Sequence, residues 1–150
     1  MPGPRPLPRS ARGFTLIEML AVVGIAGVLS SIAWPSFQGS LQKARRSEAM
    51  LAMAQVQIAQ ERWYASRGRY ASLGDLRQPE RTPAGHYGLQ LSAADEQGYT
   101  LLAVAAGAQA GDRACRRLQL VVAGGATLRR SGADERLDND EAANRRCWNL

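Results

Sequence analysis

The chain has 150 residues, 45% of them hydrophobic, which is room for one domain with an apolar anchor but not for two domains. Of the formal charge of +6, three units come from arginines within residues 1–13, which hold no acid. The single histidine, His86, lies among glycines and prolines without metal-ligand spacing, and the chain has no nucleophile elbow, phosphate-binding glycine loop or CxxC motif. The sequence therefore predicts a protein that is not an enzyme and uses no cofactor, metal ion or small-molecule substrate.

An apolar stretch from Phe14 to Trp34 follows the short basic segment MPGPRPLPRSARG. About 20 apolar residues are enough for a helix to cross the hydrocarbon core of a bilayer. The arginines of the basic segment predict that this end stays in the cytoplasm. Glu18 is the one ionisable group in the span. A carboxylate in lipid costs about 2–3 kcal/mol at mid-bilayer, which marks Glu18 as a functional residue.

The residues Gly13-Phe14-Thr15-Leu16-Ile17-Glu18 resemble the class III leader junction of type IV pilins. The resemblance implies that a prepilin peptidase cuts after Gly13, which makes residues 1–13 a cleaved leader peptide, and methylates the new amino terminus of Phe14. It implies that residues 14–34 are the transmembrane helix and filament-core segment. In the filament, the methylated amino group of a neighbouring Phe14 would neutralise Glu18 and offset the cost of burying both charges.

Small residues and one proline mark where this span packs or bends. Gly24 and Gly27 let helices approach closely in lipid, although a lone anchor that merely tolerates glycine has the same composition. Pro35 removes a backbone hydrogen bond, so the sequence predicts a kink between Gly27 and Pro35.

A second helical segment is predicted for residues 35–67. Apolar residues recur there at three- and four-residue steps, at Phe37, Leu41, Ala44, Ala52, Val56, Ala59 and Trp63. Polar residues fall largely off that line, which makes the segment amphipathic: Glu48, Gln55, Gln60 and Glu61. Together with the span it predicts one helix of about 50 residues, ending at Gly68. The stretches Glu61–Tyr64 and Arg69–Ala71 resemble minor pilins of the PilE type.

Residues 68–150 are predicted to hold a loop, a sheet and a C-terminal loop. Residues 72–85 are rich in glycine and proline and predict the first loop. Four strands are predicted in this part. The first is indicated by alternation of apolar with small or polar residues at 87–92, and the second by an apolar run at 99–105. The last two, at 118–122 and 126–129, flank Gly124-Gly125 and are predicted to form a hairpin. Residues 134–146 are predicted to be polar and irregular. The predicted fold class is α+β, with the type IV pilin fold of a long helix packed on a four-stranded antiparallel sheet.

Two cysteines, Cys115 and Cys147, lie in the part predicted to face the outside. An even count in an exported domain favours a disulfide, whereas two free thiols belong to a reducing compartment. A bridge that closes a loop of about 32 residues stabilises the fold by roughly 3–4 kcal/mol in the chain-entropy model. The pair also resembles the disulfide-bounded C-terminal loop of type IV pilins.

Charged residues near the C-terminus have two interpretations each. The acidic cluster suits a solvated loop better than a calcium site, because its spacing misses that of the EF-hand: Asp134, Asp138, Asp140 and Glu141. Three arginine pairs are either ordinary surface charge or, where they converge, a strip that binds DNA phosphates: Arg116, Arg117, Arg129, Arg130, Arg145 and Arg146.

The resemblance implies a structural subunit of a type IV pilus, a minor pilin that supports pilus biogenesis, twitching motility, adhesion or DNA uptake. Its partners would be the prepilin peptidase, other pilins in a helical filament and the pilus assembly machinery of the inner membrane. Before assembly it would cross the inner membrane once with its C-terminus in the periplasm, and afterwards it would be extracellular. Two alternatives stay open: a pseudopilin of a type II secretion system, and a pilus-tip module that binds DNA or a surface.

Overall fold

The computed structural model describes residues 13–150, so the predicted leader lies outside the described residues except for Gly13. The described chain forms α1 (Leu16–Arg67), β1 (Tyr87–Ser92), β2 (Gly98–Ala105), β3 (Arg117–Ala123), β4 (Ala126–Gly132) and α2 (Glu141–Cys147). Two short 3-10 helices, Gly107–Gly111 and Arg113–Cys115, lie between β2 and β3. The chain divides into two compact units, one ending at Gln38 and one spanning Gly39–Leu150.

Helix α1 is one element of 52 residues, which confirms the single long helix predicted from the sequence. The helix continues through Pro35. Its end is set by Gly68, whose φ of 68° lies in the left-handed region that glycine adopts without strain. The Gly68 N–H donates to the Tyr64 carbonyl at 2.8 Å and so satisfies one of the last carbonyls of the helix.

The unit that ends at Gln38 presents an apolar surface. Every side chain from Phe14 to Phe37 is exposed, including the large apolar ones. Among the described residues, α1 is the one helix that is long and apolar enough to cross a membrane, judged by length and composition.

The unit Gly39–Leu150 holds a four-stranded antiparallel sheet in the order β1-β2-β3-β4. All four strands predicted from alternation and apolar runs are present. One face of the sheet is buried against α1 and forms the core with it, through Tyr87, Leu89, Tyr99, Leu101, Ala103, Leu118, Leu120 and Val122. The hairpin between β3 and β4 turns at Gly124 and Gly125, whose φ angles of 54° and 79° suit a two-residue turn.

The buried face of α1 differs from the predicted apolar line. Its buried residues are Ala49, Ala52, Met53, Val56 and Gln60. Phe37 and Ala44 were predicted on this face and are exposed. Gln60 was predicted off it and is fully buried, because its side-chain amide pairs with both backbone polar groups of Ala71: Nε2 donates to the carbonyl at 2.7 Å, and Oε1 accepts the N–H at 2.9 Å.

Segments outside the sheet cover both of its edges. Next to β1, Leu89 N–H donates to the Glu80 carbonyl at 2.7 Å. Next to β4, the Asn144 side chain donates to the Arg129 carbonyl at 3.0 Å and the Trp148 indole donates to the Arg130 carbonyl at 3.1 Å. The backbone of both edge strands therefore has partners beyond the sheet itself.

The segment predicted to be irregular, residues 134–146, contains most of a short helix, so this prediction is wrong in part. Helix α2 begins after Asp140, whose carboxylate Oδ1 accepts the Ala143 N–H at 2.7 Å. An aspartate at this position satisfies a helix N–H that otherwise has no partner. The helix ends at Cys147, which is bonded to Cys115.

Candidate assembly segment and candidate nucleic-acid interface

Glu18, the predicted assembly residue, lies in the first turn of α1 and pairs with Thr15. The Thr15 hydroxyl accepts the Glu18 N–H at 3.3 Å, and the Glu18 carboxylate accepts the Thr15 N–H at 3.4 Å. This reciprocal pattern is a capping box, in which two side chains satisfy helix-terminal N–H groups. Sequence reasoning missed this second role, although the spacing Thr-x-x-Glu signals it.

Gly13 and Phe14, the predicted cleavage junction, precede the first helical residue and are exposed. Phe14 is 74% exposed, and a side chain added at Gly13 would meet nothing within 4 Å. Exposed non-helical backbone is where proteolysis concentrates. The geometry suits the predicted cut, and cleavage and methylation themselves stay predictions.

The space over the glycines of the span is open. A side chain at Gly24 or Gly27 would meet nothing within 4 Å. Both positions would let a neighbouring helix approach the α1 backbone closely. The predicted kink between Gly27 and Pro35 stays a prediction.

Cys115 and Cys147 form a disulfide with their Cα atoms 5.4 Å apart, as the sequence predicted. Both are buried. Arg116 follows one cysteine and Arg146 precedes the other. Because neighbouring Cα atoms are 3.8 Å apart, the Cα atoms of these two arginines lie within about 13 Å of each other. The bridge thus brings two of the three arginine pairs together.

The third pair is split across the sheet, because side chains alternate along a strand. Arg129 stands opposite Leu120, on the face covered by α1, and its guanidinium lies 5.7 Å from the centroid of the Trp148 ring. Arg130 stands opposite Gln119 on the other face. Arg117 lies on that outer face of β3, two residues before Gln119. Because Gln119 is the direct partner of Arg130, Arg117 and Arg130 are diagonal neighbours. The three pairs therefore do not form one surface.

The arginines of the first and last pairs differ in their hydrogen bonds and ion pairs. Arg116 is exposed, and its Nε donates to the Ala110 carbonyl at 2.7 Å. Arg117 is half-buried and pairs with Glu135 at 3.3 Å. Arg145 and Arg146 are exposed in the last turn of α2, where positive charge complements the helix dipole. Within residues 13–150, Arg116, Arg130, Arg145 and Arg146 form no ion pair.

The acidic cluster is engaged in charge pairing and capping. Arg136 lies 2.9 Å from Asp134 and 3.7 Å from Asp138. Hydrogen bonds from Arg136 hold the pKa of Asp134 below its usual value. Asp140 caps α2. In the part of the chain that the structure describes, no three His, Cys, Asp or Glu residues are grouped to hold a metal ion.

Sequence reasoning missed a buried polar group between α1 and the loop that follows β2. Arg46 forms an ion pair with Asp112, with side chains only 13% and 8% exposed. Gln109 is fully buried beside them. The available signal was weak: Gln109 and Asp112 are isolated polar residues in the small-residue stretch GAQAGD.

Comparison with known proteins gives two family matches. Residues 35–119 match the family described as type IV minor pilin ComP, DNA uptake sequence receptor. Residues 8–34 match the prokaryotic N-terminal methylation motif. Together these matches cover the predicted cleavage junction, all of α1, β1 and β2, and the first three residues of β3.

Curated relatives are similar over part of their length. The type IV major pilin protein PilA of Myxococcus xanthus (strain DK1622) is 37% identical over 85 residues, 55% of this chain and 38% of that protein. PilE1 of Neisseria gonorrhoeae, also a type IV major pilin protein, is 35% identical over 74 residues, 49% of this chain and 31% of that protein. The type II secretion system core protein G of Pectobacterium carotovorum subsp. carotovorum is 36% identical over 61 residues, 41% of this chain and 39% of that protein. The chain thus spans about a third of the length of these relatives.

Proposed function

The chain belongs to the type IV pilin family and carries its minor pilin domain, and on that premise we propose that it is a minor pilus subunit that binds DNA through exposed arginines of its C-terminal region. The family is one of structural pilins, not of enzymes. The protein then acts by assembling with other pilins and by presenting a binding surface, without turning over a substrate.

The proposed assembly uses the N-terminal part of the chain. Residues 1–13 are the leader removed by a prepilin peptidase, residues 14–34 cross the inner membrane before assembly, and residues 35–67 continue the helix outside it. The matched methylation motif and the exposed apolar surface from Phe14 to Phe37 support this arrangement. In the filament Glu18 pairs with the methylated amino group of a neighbouring Phe14, so that neither charge is buried alone. Residues 68–150 lie in the periplasm and then on the pilus.

A direct measurement tests the processing step. Mass spectrometry of the chain from host membranes should show residues 1–13 removed and an N-methyl group on Phe14. Replacing Gly13 with a bulky residue should block the cut. An intact Met1 in membranes with active prepilin peptidase contradicts the proposed assembly.

The observation that carries the DNA proposal is a set of exposed arginines beside the disulfide, Arg116, Arg145 and Arg146, called here the arginine region. The chain that carries it matches a family described as a DNA uptake sequence receptor. Arg116 lies inside the matched residues and is exposed; Arg145 and Arg146 lie across the bridge and are exposed. Guanidinium groups bind phosphate oxygens as bidentate donors. Contacts of this kind fix the protein on the duplex without reading its sequence.

Duplex binding at several salt concentrations tests this proposal. The full chain in a neutral detergent should bind a labelled duplex, with log K falling linearly against log salt by about 0.9 per phosphate contacted. Reversing charge at Arg116 and Arg145 should flatten the slope. Reversing charge at two arginines outside the region, Arg62 and Arg77, is the matched control and should leave the slope unchanged. Absence of binding at low salt overturns DNA binding and leaves a structural role in the filament.

The similarity to a type II secretion core protein supports a second candidate, a pseudopilin of a secretion filament. Both candidates use the same N-terminal helix. The minor pilin match over residues 35–119 and the bridged C-terminal region favour the pilus. Deleting the gene separates the two: loss of pili or of DNA uptake with normal protein secretion supports the pilin, and a secretion defect with normal pili supports the pseudopilin.

A further inference from the structure

The segment Gly107–Cys115, called here the 107–115 segment, joins β2 to β3 and consists of two short 3-10 helices. Such helices are held by few hydrogen bonds of their own and need contacts from outside to keep one conformation. Asp112 is the residue between the two helices and is buried, although an aspartate is seldom buried without a partner. The contacts of Asp112 therefore decide how this segment is held.

Two side chains reach the Asp112 carboxylate. Arg46, on α1, forms the buried ion pair. Gln109 donates through Nε2 to the same carboxylate at 3.1 Å, to the Tyr87 hydroxyl at 3.0 Å and to the Gln42 carbonyl on α1 at 3.3 Å. Burial raises the pKa of Tyr87 from 10.0 to about 12, so this hydroxyl stays protonated even in mildly alkaline solution. The group thus ties the 107–115 segment to both α1 and β1.

The same segment holds part of the arginine region. The Ala110 carbonyl accepts the Arg116 Nε–H at 2.7 Å. The Ala114 carbonyl accepts the Asn139 side-chain N–H at 2.8 Å, and Cys115 carries the disulfide. Movement of the segment would therefore displace the acceptor that fixes the direction of the Arg116 guanidinium.

We propose that Arg46 and Asp112 are positioning residues for DNA binding: their buried ion pair fixes the 107–115 segment on α1 and so aims Arg116 at a phosphate. This inference rests on the proposed function. Neither residue touches DNA in this arrangement, because their side chains are only 13% and 8% exposed and are paired with each other. Their effect passes through Ala110 and Arg116.

The direction in which Asp112→Asn changes DNA affinity distinguishes a positioning role from an effect of charge alone. Asp112→Asn removes a negative charge, and charge alone makes DNA binding tighter. Loss of the ion pair leaves Arg46 buried without its counter-charge, which favours release of the segment. Positioning therefore predicts weaker binding. Asp134→Asn is the matched control, because it removes the same charge at an exposed position that pairs with Arg136.

The experiment compares the full chain and its variants in a neutral detergent, with a labelled duplex at several salt concentrations. Asp112→Asn should bind more weakly than wild type, with a salt slope flatter by about 0.9, the share of one phosphate contact. Asp134→Asn should bind as wild type or more tightly. All variants carry the same N-terminal arginines, whose contribution cancels in the comparison.

A double variant distinguishes positioning from general damage to the fold. If Asp112 acts through Arg116, Asp112→Asn should change the salt slope of Arg116→Gln no further. Hydrogen exchange should be faster in the 107–115 segment of Asp112→Asn than in wild type. Arg46→Lys, which keeps the charge and loses the guanidinium fork, should show the same flattened slope if Asp112→Asn does not fold.

Each remaining outcome decides the matter. Asp112→Asn that binds as tightly as Asp134→Asn overturns positioning and leaves the proposed function standing. An additive change in the Arg116→Gln background also overturns it. A wild-type chain that binds no duplex at low salt overturns the proposed DNA function and this inference together.

Discussion

Gln60 offers the sharpest test of how the folded unit is held together. It is fully buried, and its amide is bonded to both backbone polar groups of Ala71, which is itself buried at the start of the loop after α1. Gln60→Met keeps an unbranched side chain of similar length but leaves the Ala71 N–H and C=O without their partner. Each buried polar group left unpaired costs about 1–3 kcal/mol, so we expect a loss of about 2–4 kcal/mol after some relaxation.

Urea unfolding of the fragment Gly39–Leu150, the compact unit that contains the core, measures this loss as a shift in midpoint at constant slope. Gln55→Met is the matched control, since Gln55 is exposed on the same helix and should change stability by less than about 0.5 kcal/mol. Equal stability of the two variants would refute the reasoning, because the two Ala71 bonds would then contribute nothing net.

Three further predictions follow from the structure. Glu18→Val should leave a stable membrane protein that enters filaments poorly, measured as the ratio of pilus-bound to membrane-bound subunit; wild-type incorporation contradicts the pairing of Glu18 with a neighbour. Serine at both Cys115 and Cys147 should lower stability by roughly 3–4 kcal/mol in denaturant unfolding, and thiol labelling of denatured, non-reduced wild type should find neither cysteine free. Burial raises the pKa of Tyr87 and of Tyr99 from 10.0 to about 12, because the folded protein holds both in their neutral form. Their contribution to the stability of the fold is therefore fully present below pH 10 and is lost as the pH rises toward 12. In an absorbance titration of tyrosinate, these two of the four tyrosines should therefore ionise only as the protein unfolds; ionisation of all four before unfolding contradicts this prediction.

The sheet was predictable because its signals are local. Tyr87, Leu89 and Leu91 alternate with small or polar residues, and β1 spans this alternating stretch, Tyr87–Ser92. Gly124-Gly125 marks the hairpin, since its backbone conformation favours glycine in both positions. Gly68 ends α1 for the same reason. In each case the residue type itself restricts the backbone, and distant contacts need not be known.

The predictions that failed depend on contacts across the fold. Gln60 is polar and was placed outside the core, but bonds to Ala71 make its burial favourable. Helix α2 has its capping signal in Asp140, yet seven mostly polar residues carry too little periodicity to predict a helix. The split of Arg129 and Arg130 follows from strand alternation alone. Only the fold shows that one of these faces is covered by α1.

The covered edges of the sheet bear on what happens when two copies of the chain meet. An open strand edge offers unpaired N–H and C=O groups to any neighbour and is a common start of aggregation. Here the side chains of Asn144 and Trp148 donate to carbonyls of β4, and the Glu80 carbonyl accepts an N–H of β1. Trp148 follows directly on Cys147, so the disulfide also fastens the residue that guards the β4 edge. Two copies of the chain that meet therefore find few open backbone groups at these sheet edges. Loss of the bridge would free Trp148 to move away and would leave the Arg130 carbonyl open to a neighbouring strand.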